Sequence, residues 1–166
     1  SKNGLANTLM LQGNHYEAAR HYAILVKRSD LDAQQKGEFN HNLGGAYIGI
    51  NQFEKAVDVL KQGIAGFSEF QSSLLNTEWQ ITIFEKQKHA FILLERALIA
   101  SKRILEALEV ASSKSSRVLE MNLLKRKPGS SQTSLELPSS DMQQNTMFIV
   151  YSLSTINEKQ IKVWII

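Results

Sequence analysis

Apolar and polar positions alternate most regularly in the stretch Phe39–Phe67, where they predict two amphipathic helices joined by a short turn. Leu43, Gly44 and Tyr47 are spaced for one face of the first helix, and residues 49–52 interrupt the pattern. The second helix has apolar residues at three- and four-residue intervals. They are Phe53, Ala56, Val57, Leu60, Ile64 and Phe67. The small residues indicate close helix contact, so the stretch predicts one unit of a helical repeat.

A weaker copy of this pattern occupies Leu5–Lys27 and lies 38 positions upstream. The matched pairs are Leu5 and Leu43, Ala6 and Gly44, Leu9 and Tyr47, Gly13 and Asn51, His15 and Phe53, Ala18 and Ala56, Tyr22 and Leu60, and Leu25 and Gly63. Ala107 extends the series to a third helix pair, at a wider spacing of 51 from Ala56. This pattern resembles the tetratricopeptide repeat, whose unit has about 34 residues, so the units predicted here are slightly long.

The remaining helices are predicted from their caps and breakers. Residues 30–32 (Asp-Leu-Asp) predict an N-cap for the helix that follows. Residues 79–84 (Trp-Gln-Ile-Thr-Ile-Phe) alternate as an extended segment does, so we predict an extended strap there. A helix then runs from near Glu85 to about Ala100. After a turn at residues 101–103, the last helix covers Ile104 to about Lys125. The predicted core residues of these helices and of Phe39–Phe67 are Phe53, Leu60, Phe67, Phe91, Leu94 and Leu108.

The C-terminal part has a different composition. Pro128 and Gly129 end the last helix, and the Ser-rich residues up to 145 read as a linker. Two β-rich runs, 146–153 and 161–166, predict a β-hairpin that needs other elements to cover it. We therefore predict helical repeats at 1–127, a linker at 128–145 and a hairpin at 146–166. The predicted fold class is mainly α, a short α-solenoid of about three helix pairs followed by the start of a truncated α/β domain.

Composition excludes several classes of protein. Apolar residues make up 43% of the chain, as in ordinary globular proteins, and no run approaches the roughly 20 apolar residues of a membrane span. Residues 1–10 do not resemble a signal peptide, and the chain reads as a fragment of a longer protein. It contains no cysteine, which excludes disulfides and thiolate chemistry and fits a reducing, cytoplasmic location.

The formal net charge of +3 is too small to predict a nucleic-acid binder by itself. Residues 125–127 (Lys-Arg-Lys) form one basic cluster that could contact nucleic acid or acidic lipid, and binding of that kind falls steeply with salt. We favour the alternative that this cluster is a solvated helix end, where positive charge complements the helix dipole.

The order of the parts resembles a known family arrangement. The repeats are followed by Trp79–Phe84, then by residues 93–98 (LLERAL) and 106–111 (EALEVA), with Arg117 beyond them. This order is similar to the junction between tetratricopeptide repeats and a CHAT domain, a caspase- and separase-like module. The hairpin is similar to the first two strands of that module. The resemblance implies that the catalytic His and Cys of protease-active members lie beyond Ile166, so no residue in this chain takes those roles.

The residues themselves predict no catalytic, metal or cofactor site. The histidines at 15, 21, 41 and 89 are the only side chains suited to proton transfer at neutral pH, and nothing in the sequence brings them together. Phosphate-loop and paired-carboxylate motifs are absent from the sequence. In a solenoid the first helices of successive pairs line a concave surface. We predict partner contacts there at Lys36, Asn42 and Tyr47, with Asn7 as a further candidate.

The sequence therefore predicts a non-enzymatic scaffold that binds partner proteins or peptides through helical repeats. Small-molecule substrates, nucleic acid and cofactors are not expected. The alternative is a regulatory repeat arm of a CHAT-type cysteine peptidase whose catalytic part lies outside this sequence.

Overall fold

The computed structural model describes residues 2–125, 149–154 and 160–165, and these residues are mainly helical. The helices are α1 (Lys2–Leu11), α2 (His15–Leu25), α3 (Ala33–Gly49), α4 (Phe53–Ser73), α5 (Thr77–Ala100) and α6 (Ile104–Lys125), and the strands are β1 (Ile149–Ser154) and β2 (Gln160–Ile165). The chain divides into two compact units, Ser1–Lys114 and Ser115–Ile166, with the division inside α6. Among the described helices, none is long and apolar enough to cross a bilayer.

The turns that end α1, α3 and α5 share one backbone geometry. Each contains a residue with left-handed φ, namely Gly13 at 75°, Asn51 at 59° and Lys102 at 62°. The N–H of this residue donates to the carbonyl three positions earlier, and the next N–H donates to the carbonyl five positions earlier, at 2.9 to 3.1 Å. This pair of bonds is the Schellman motif, which satisfies the free carbonyls at a helix end.

Each of these turns is followed, five residues later, by an alanine with no exposed surface: Ala18, Ala56 and Ala107. Turn and alanine therefore recur together at spacings of 38 and then 51 residues. The structure thus places the predicted matches Gly13 with Asn51 and Ala18 with Ala56 at equivalent points. The same helix–turn–helix geometry occurs three times in the first unit.

The contact between α3 and α4 is close because glycines remove side chains from it. A Cβ added at Gly66 would lie 2.7 Å from the backbone nitrogen of Gly37 and 2.9 Å from the carbonyl oxygen of Ala33. A Cβ at Gly63 would lie 3.1 Å from the backbone nitrogen of His41. The two backbones therefore nearly touch along this line, as the small residues of the sequence predict.

The described helix ends agree with most of the predicted ones. Asp32 caps α3 in a reciprocal capping box with Gln35, and α3 and α4 are separated at residues 50–52 as predicted. Helix α5 ends at Ala100 and α6 begins at Ile104. Of the predicted core residues, Leu60, Phe67, Phe91 and Leu94 are buried, whereas Phe53 and Leu108 are only partly buried.

The predicted extended strap at Trp79–Phe84 is wrong, because these residues form the first turns of α5. Asn76 starts the helix by accepting hydrogen bonds from the backbone N–H groups of Glu78 and Trp79 at 2.8 and 3.2 Å. Ile83 and Phe84 are buried, and Ile83 belongs to one hydrophobic cluster with Phe67 of α4. The extra length between the second and third helix pairs is therefore helical.

Helix α5 also buries a polar residue. Gln87 lies on the buried face one turn after Ile83 and has 1% of its surface exposed. Its side-chain nitrogen donates to the carbonyl of Ile64 at 3.2 Å and to the hydroxyl of Ser68 at 2.6 Å. The apolar stripe thus appears broken at residue 87, although the amide is satisfied by α4.

Ion pairs tie α6 to the preceding helices within the first unit. Lys114 contacts Glu95 of α5 at 3.0 Å, and both side chains are at most 9% exposed. At the surface, Arg103 bonds both Glu54 at 2.8 Å and Glu106 at 2.6 Å. Hydrogen bonds from Arg103 and Lys61 lower the pKa of Glu106 to about 2. The turn at residues 101–103 and the start of α6 are thereby connected to α4 by charged side chains.

In the second unit, β1 and β2 pair antiparallel, with Ile149 opposite Ile165 and Ser154 opposite Gln160. The connection at residues 155–159 and the predicted linker at 128–145 lie outside the described residues.

We predict that Gly66→Ala lowers the free energy of unfolding by about 1–3 kcal/mol, because the new methyl group meets backbone atoms that cannot move aside. Gly45→Ala is the matched control. Its Cβ would meet the side-chain ends of Met10 at 3.6 Å and Leu93 at 3.9 Å, both ordinary contact distances, so it should be neutral or stabilising by up to about 1 kcal/mol. Urea unfolding followed by circular dichroism measures both. Equal midpoints for the two variants would contradict the close α3–α4 contact.

We predict that Lys102→Gly stabilises the protein by about 1–2 kcal/mol, since glycine adopts left-handed φ without the clash that a Cβ introduces. Lys88→Gly, in the middle of α5, is the control and should destabilise instead. Thermal unfolding of the two variants distinguishes them, and destabilisation by Lys102→Gly would contradict the left-handed turn.

Candidate interaction groove

A groove of about 330 Å³, lined mostly by residues with polar side chains, lies on the first unit between alternate helices. We define it by its lining residues. They are Asn3 and Asn7 of α1, Glu38, His41 and Asn42 of α3, Phe67 of α4, and Lys86 and His89 of α5. The first helix of each predicted pair therefore contributes, and Phe67, with 1% of its surface exposed, is the apolar member.

The spacing of the lining residues explains why they share a surface. Asn3 and Asn7, Glu38 and either His41 or Asn42, and Lys86 and His89 stand three or four positions apart, which places the members of each set on one side of their helix. Other positions on the same helices are buried in the core, among them Ala6, Leu43 and Ala90. The polar face of each first helix is thus left to line the groove.

Helices α3 and α5 are joined across the groove by two polar contacts. Lys86 Nζ lies 2.6 Å from Glu38 Oε1, and His41 Nε2 lies 2.8 Å from His89 Nδ1. Both pairs are separated by 48 residues in sequence, so the helices run side by side in the same direction. The two histidine rings meet edge to face, with their centroids 5.0 Å apart.

The environment keeps both histidines neutral at pH 7. Burial, followed by the neighbouring His89, lowers the pKa of His41 to about 4, with Lys86 acting in the same direction and Asn42 and Glu38 in the opposite one. Burial also lowers the pKa of His89. In the neutral pair, one ring donates its N–H to the free nitrogen of the other. The contact is therefore an uncharged hydrogen bond between two helices.

A buried tyrosine orients the asparagines. The hydroxyl of Tyr22, which is 1% exposed, donates to Asn7 Oδ1. Burial raises the pKa of Tyr22, and a hydrogen bond with Asn42 opposes that effect. Tyr22 thus stays protonated and lies between one amide from α1 and one from α3. Asn3 Oδ1 is buried and has no hydrogen-bond partner among the described residues.

The predicted partner-binding residues lie in different places. Asn42 lines the groove, as does Asn7. Lys36 is exposed on α3 and is not among the lining residues. Tyr47 is partly buried against the first hydrophobic cluster, and its ring faces Lys55 Nζ at 5.8 Å from the centroid. The structure therefore does not bring the three residues together.

Sequence reasoning missed the contact between His41 and His89. The helix predicted from near Glu85 has His89 close to its start, whereas His89 lies in the middle of α5. The sequence contains one indication of this contact. Glu38 and Lys86 carry opposite charges and are separated by the same number of residues as His41 and His89. The equal spacing indicates a contact only if α5 is helical at residue 86 and packs beside α3. Within the described residues, no group of three or more His, Cys, Asp or Glu side chains converges as a metal site.

No protein-family model matches this chain, and no curated protein matches it either. The resemblance to tetratricopeptide repeats and to a CHAT domain therefore stays a prediction.

We predict that the protein loses stability as the pH falls from about 6.5 to about 4, measured in buffer without divalent ions. The pKa of His41 is near 6.5 in the unfolded chain and about 4 in the folded one, so the unfolded state binds more protons in this window. His89 acts in the same direction. Replacing the histidine by His41→Gln keeps a hydrogen-bonding side chain without the titration.

The measurement is the thermal midpoint of the wild type and of His41→Gln at several pH values. The midpoint of the wild type should fall more steeply between pH 6.5 and 4 than that of the variant. Parallel curves would show that His41 is not held neutral by the fold.

Proposed function

We propose that the six helices form a short α-solenoid of the tetratricopeptide type that acts as a non-enzymatic scaffold, and that its groove binds an extended segment of a partner protein. The observation that carries the proposal is the groove itself, lined by polar residues from α1, α3 and α5. Alternate helices that share one surface are the arrangement by which solenoids bind their partners.

The three equivalent turns support the repeat assignment. A left-handed residue followed five positions later by a fully buried alanine occurs at Gly13, Asn51 and Lys102. Such recurrence is expected when each helix pair is one structural unit that stacks on the next.

The side chains of the groove suit a peptide backbone. Every residue of an extended chain presents an N–H and a C=O, and an asparagine amide can both donate and accept. Asn42 and Asn7 are held by Tyr22, while Asn3 Oδ1 is a buried acceptor without a described partner. An N–H of the partner would satisfy that acceptor, and unsatisfied buried acceptors are costly.

The charges of the groove favour a neutral segment. Glu38 and Lys86 neutralise each other, and the two histidines are neutral at pH 7. Lys36 lies outside the groove, so it does not supply the cation that recognition of a carboxylate would need. We therefore infer that the groove recognises the backbone and the apolar side chains of the partner, and that Phe67 contacts those side chains.

The same features support a non-enzymatic role. A general base works best when its pKa is near the working pH, and the pKa of His41 is about 4. A cytoplasmic location remains part of the proposal, because the chain contains no cysteine that an oxidising compartment would pair.

We predict that Asn42→Ala weakens peptide binding about tenfold, the loss expected when one or two hydrogen bonds are removed. Peptides that bind the full chain would be selected from a display library and then titrated by calorimetry. Lys36→Ala is the matched control on the same helix and should bind as the wild type does. Selected peptides that bind Asn42→Ala and Asn7→Ala without loss would overturn the groove assignment.

The alternative function is a regulatory repeat arm attached to a CHAT-type peptidase domain. The observation in its favour is the antiparallel ladder of β1 and β2, which would be the first strands of that domain after a linker at 128–145. The chain has no cysteine, so the alternative requires coding sequence beyond Ile166 that supplies both His and Cys. A full-length transcript without them would eliminate it.

A further inference from the structure

We propose that His41 and His89 form a binding site for a divalent transition-metal ion of the kind that prefers imidazole, such as Zn²⁺ or Cu²⁺, and that the ion links α3 to α5. The site does not depend on peptide binding. It requires only the two facing ring nitrogens, His41 Nε2 and His89 Nδ1.

The distance between the nitrogens is close to the one that a metal needs. Zinc binds histidine nitrogen at about 2.0–2.1 Å, so two ligands at a tetrahedral angle lie roughly 3.3 Å apart. His41 Nε2 and His89 Nδ1 are 2.8 Å apart. Opening the contact by about half an ångström and turning both lone pairs toward one ion requires rotation of the two rings about χ2, a torsion with a broad energy well in histidine. The backbones of α3 and α5 can remain in place.

Replacing the hydrogen bond between the two rings by two metal–nitrogen bonds needs no added reactant. In the metal-free pair, one ring donates its N–H to the lone pair of the other. On metal binding, that ring moves its proton to its other nitrogen, and both facing nitrogens then offer lone pairs to the ion. Each metal–nitrogen bond replaces one bond to a metal-bound water, and the hydrogen bond between the rings is lost.

Two imidazoles leave coordination positions for oxygen ligands. The described residues offer no group of three His, Cys, Asp or Glu side chains, so water completes the coordination from the groove. Glu38 stands one helical turn before His41, but its carboxylate pairs with Lys86 at 2.6 Å. The donor set, two neutral nitrogens plus water, selects Cu²⁺ over Zn²⁺ and both over Mg²⁺.

A structural role for the histidine pair can be separated from metal binding. His41→Gln and His89→Gln keep a side chain that can donate and accept a hydrogen bond, but an amide is a poor ligand for these ions. The matched control is the double variant His15→Gln/His21→Gln. It lowers the number of histidines by two and leaves the groove unchanged.

The experiment titrates ZnCl₂, CuSO₄ and MgCl₂ into the full chain, using calorimetry and the histidine ring resonances. We expect one ion per chain, Cu²⁺ bound more tightly than Zn²⁺, no response to Mg²⁺, and shifts at His41 and His89. Loss of a residue that only holds a ligand in place already lowers metal affinity about 10–100-fold, so loss of a ligand in His41→Gln or His89→Gln should lower it by at least about tenfold. The control double variant should match the wild type.

Circular dichroism of each variant establishes that it is folded before titration. The proposal is overturned if folded His41→Gln binds Zn²⁺ as the wild type does, if the control variant loses the binding, or if the wild type binds neither Zn²⁺ nor Cu²⁺. Because no peptide is present, these outcomes are distinct from failure of the proposed scaffold function.

Discussion

The left-handed turn between the two helices of each pair is the constraint on which the first unit depends. Two backbone hydrogen bonds at Gly13, Asn51 and Lys102 fix where one helix ends and set the direction in which the next begins. Five residues later, at Ala18, Ala56 and Ala107, the second helix has an alanine with no exposed surface. A larger side chain at that position would push the helices apart. Turn and alanine together determine the geometry of each pair.

Close packing inside the pairs determines what is left at the surface. Gly63 and Gly66 bring the backbones of α3 and α4 into near contact, so this line carries no side chains. Apolar residues such as Leu43 and Phe67 fill the space beside it. The polar residues of α1, α3 and α5 are then left on one side, where they line the groove. The groove is thus a consequence of how the cores are packed.

Hydrogen bonds and an ion pair fix the positions of polar side chains in the groove. Tyr22 orients the amides of Asn7 and Asn42 from below. Glu38 pairs with Lys86, and His41 with His89, so that α5 is bound to α3 by two uncharged or neutralised contacts. A preordered surface loses less conformational entropy when a ligand binds. For this reason the groove is a better candidate for a binding site than the scattered polar residues elsewhere on the helices.

The sequence by itself determined most helix ends, because their signals are local. The N-cap predicted at residues 30–32, the interruption at residues 49–52 and the turn at residues 101–103 each act over a few residues, and the structure has Asp32 as the cap of α3 and helix ends at the other two places. The spacing of Ala18 and Ala56 likewise revealed equivalent helices, since a tight contact admits few residue types.

Only the tertiary structure decided the features that rest on distant partners. Residues 79–84 are helical because Ile83 packs against α4, and Gln87 can be buried because Ile64 and Ser68 accept its hydrogen bonds. His41 and His89 are 48 residues apart in sequence, and their contact exists only once α3 and α5 lie side by side. Local patterns carry no information about such pairs, because each member alone is an ordinary polar residue on a helix.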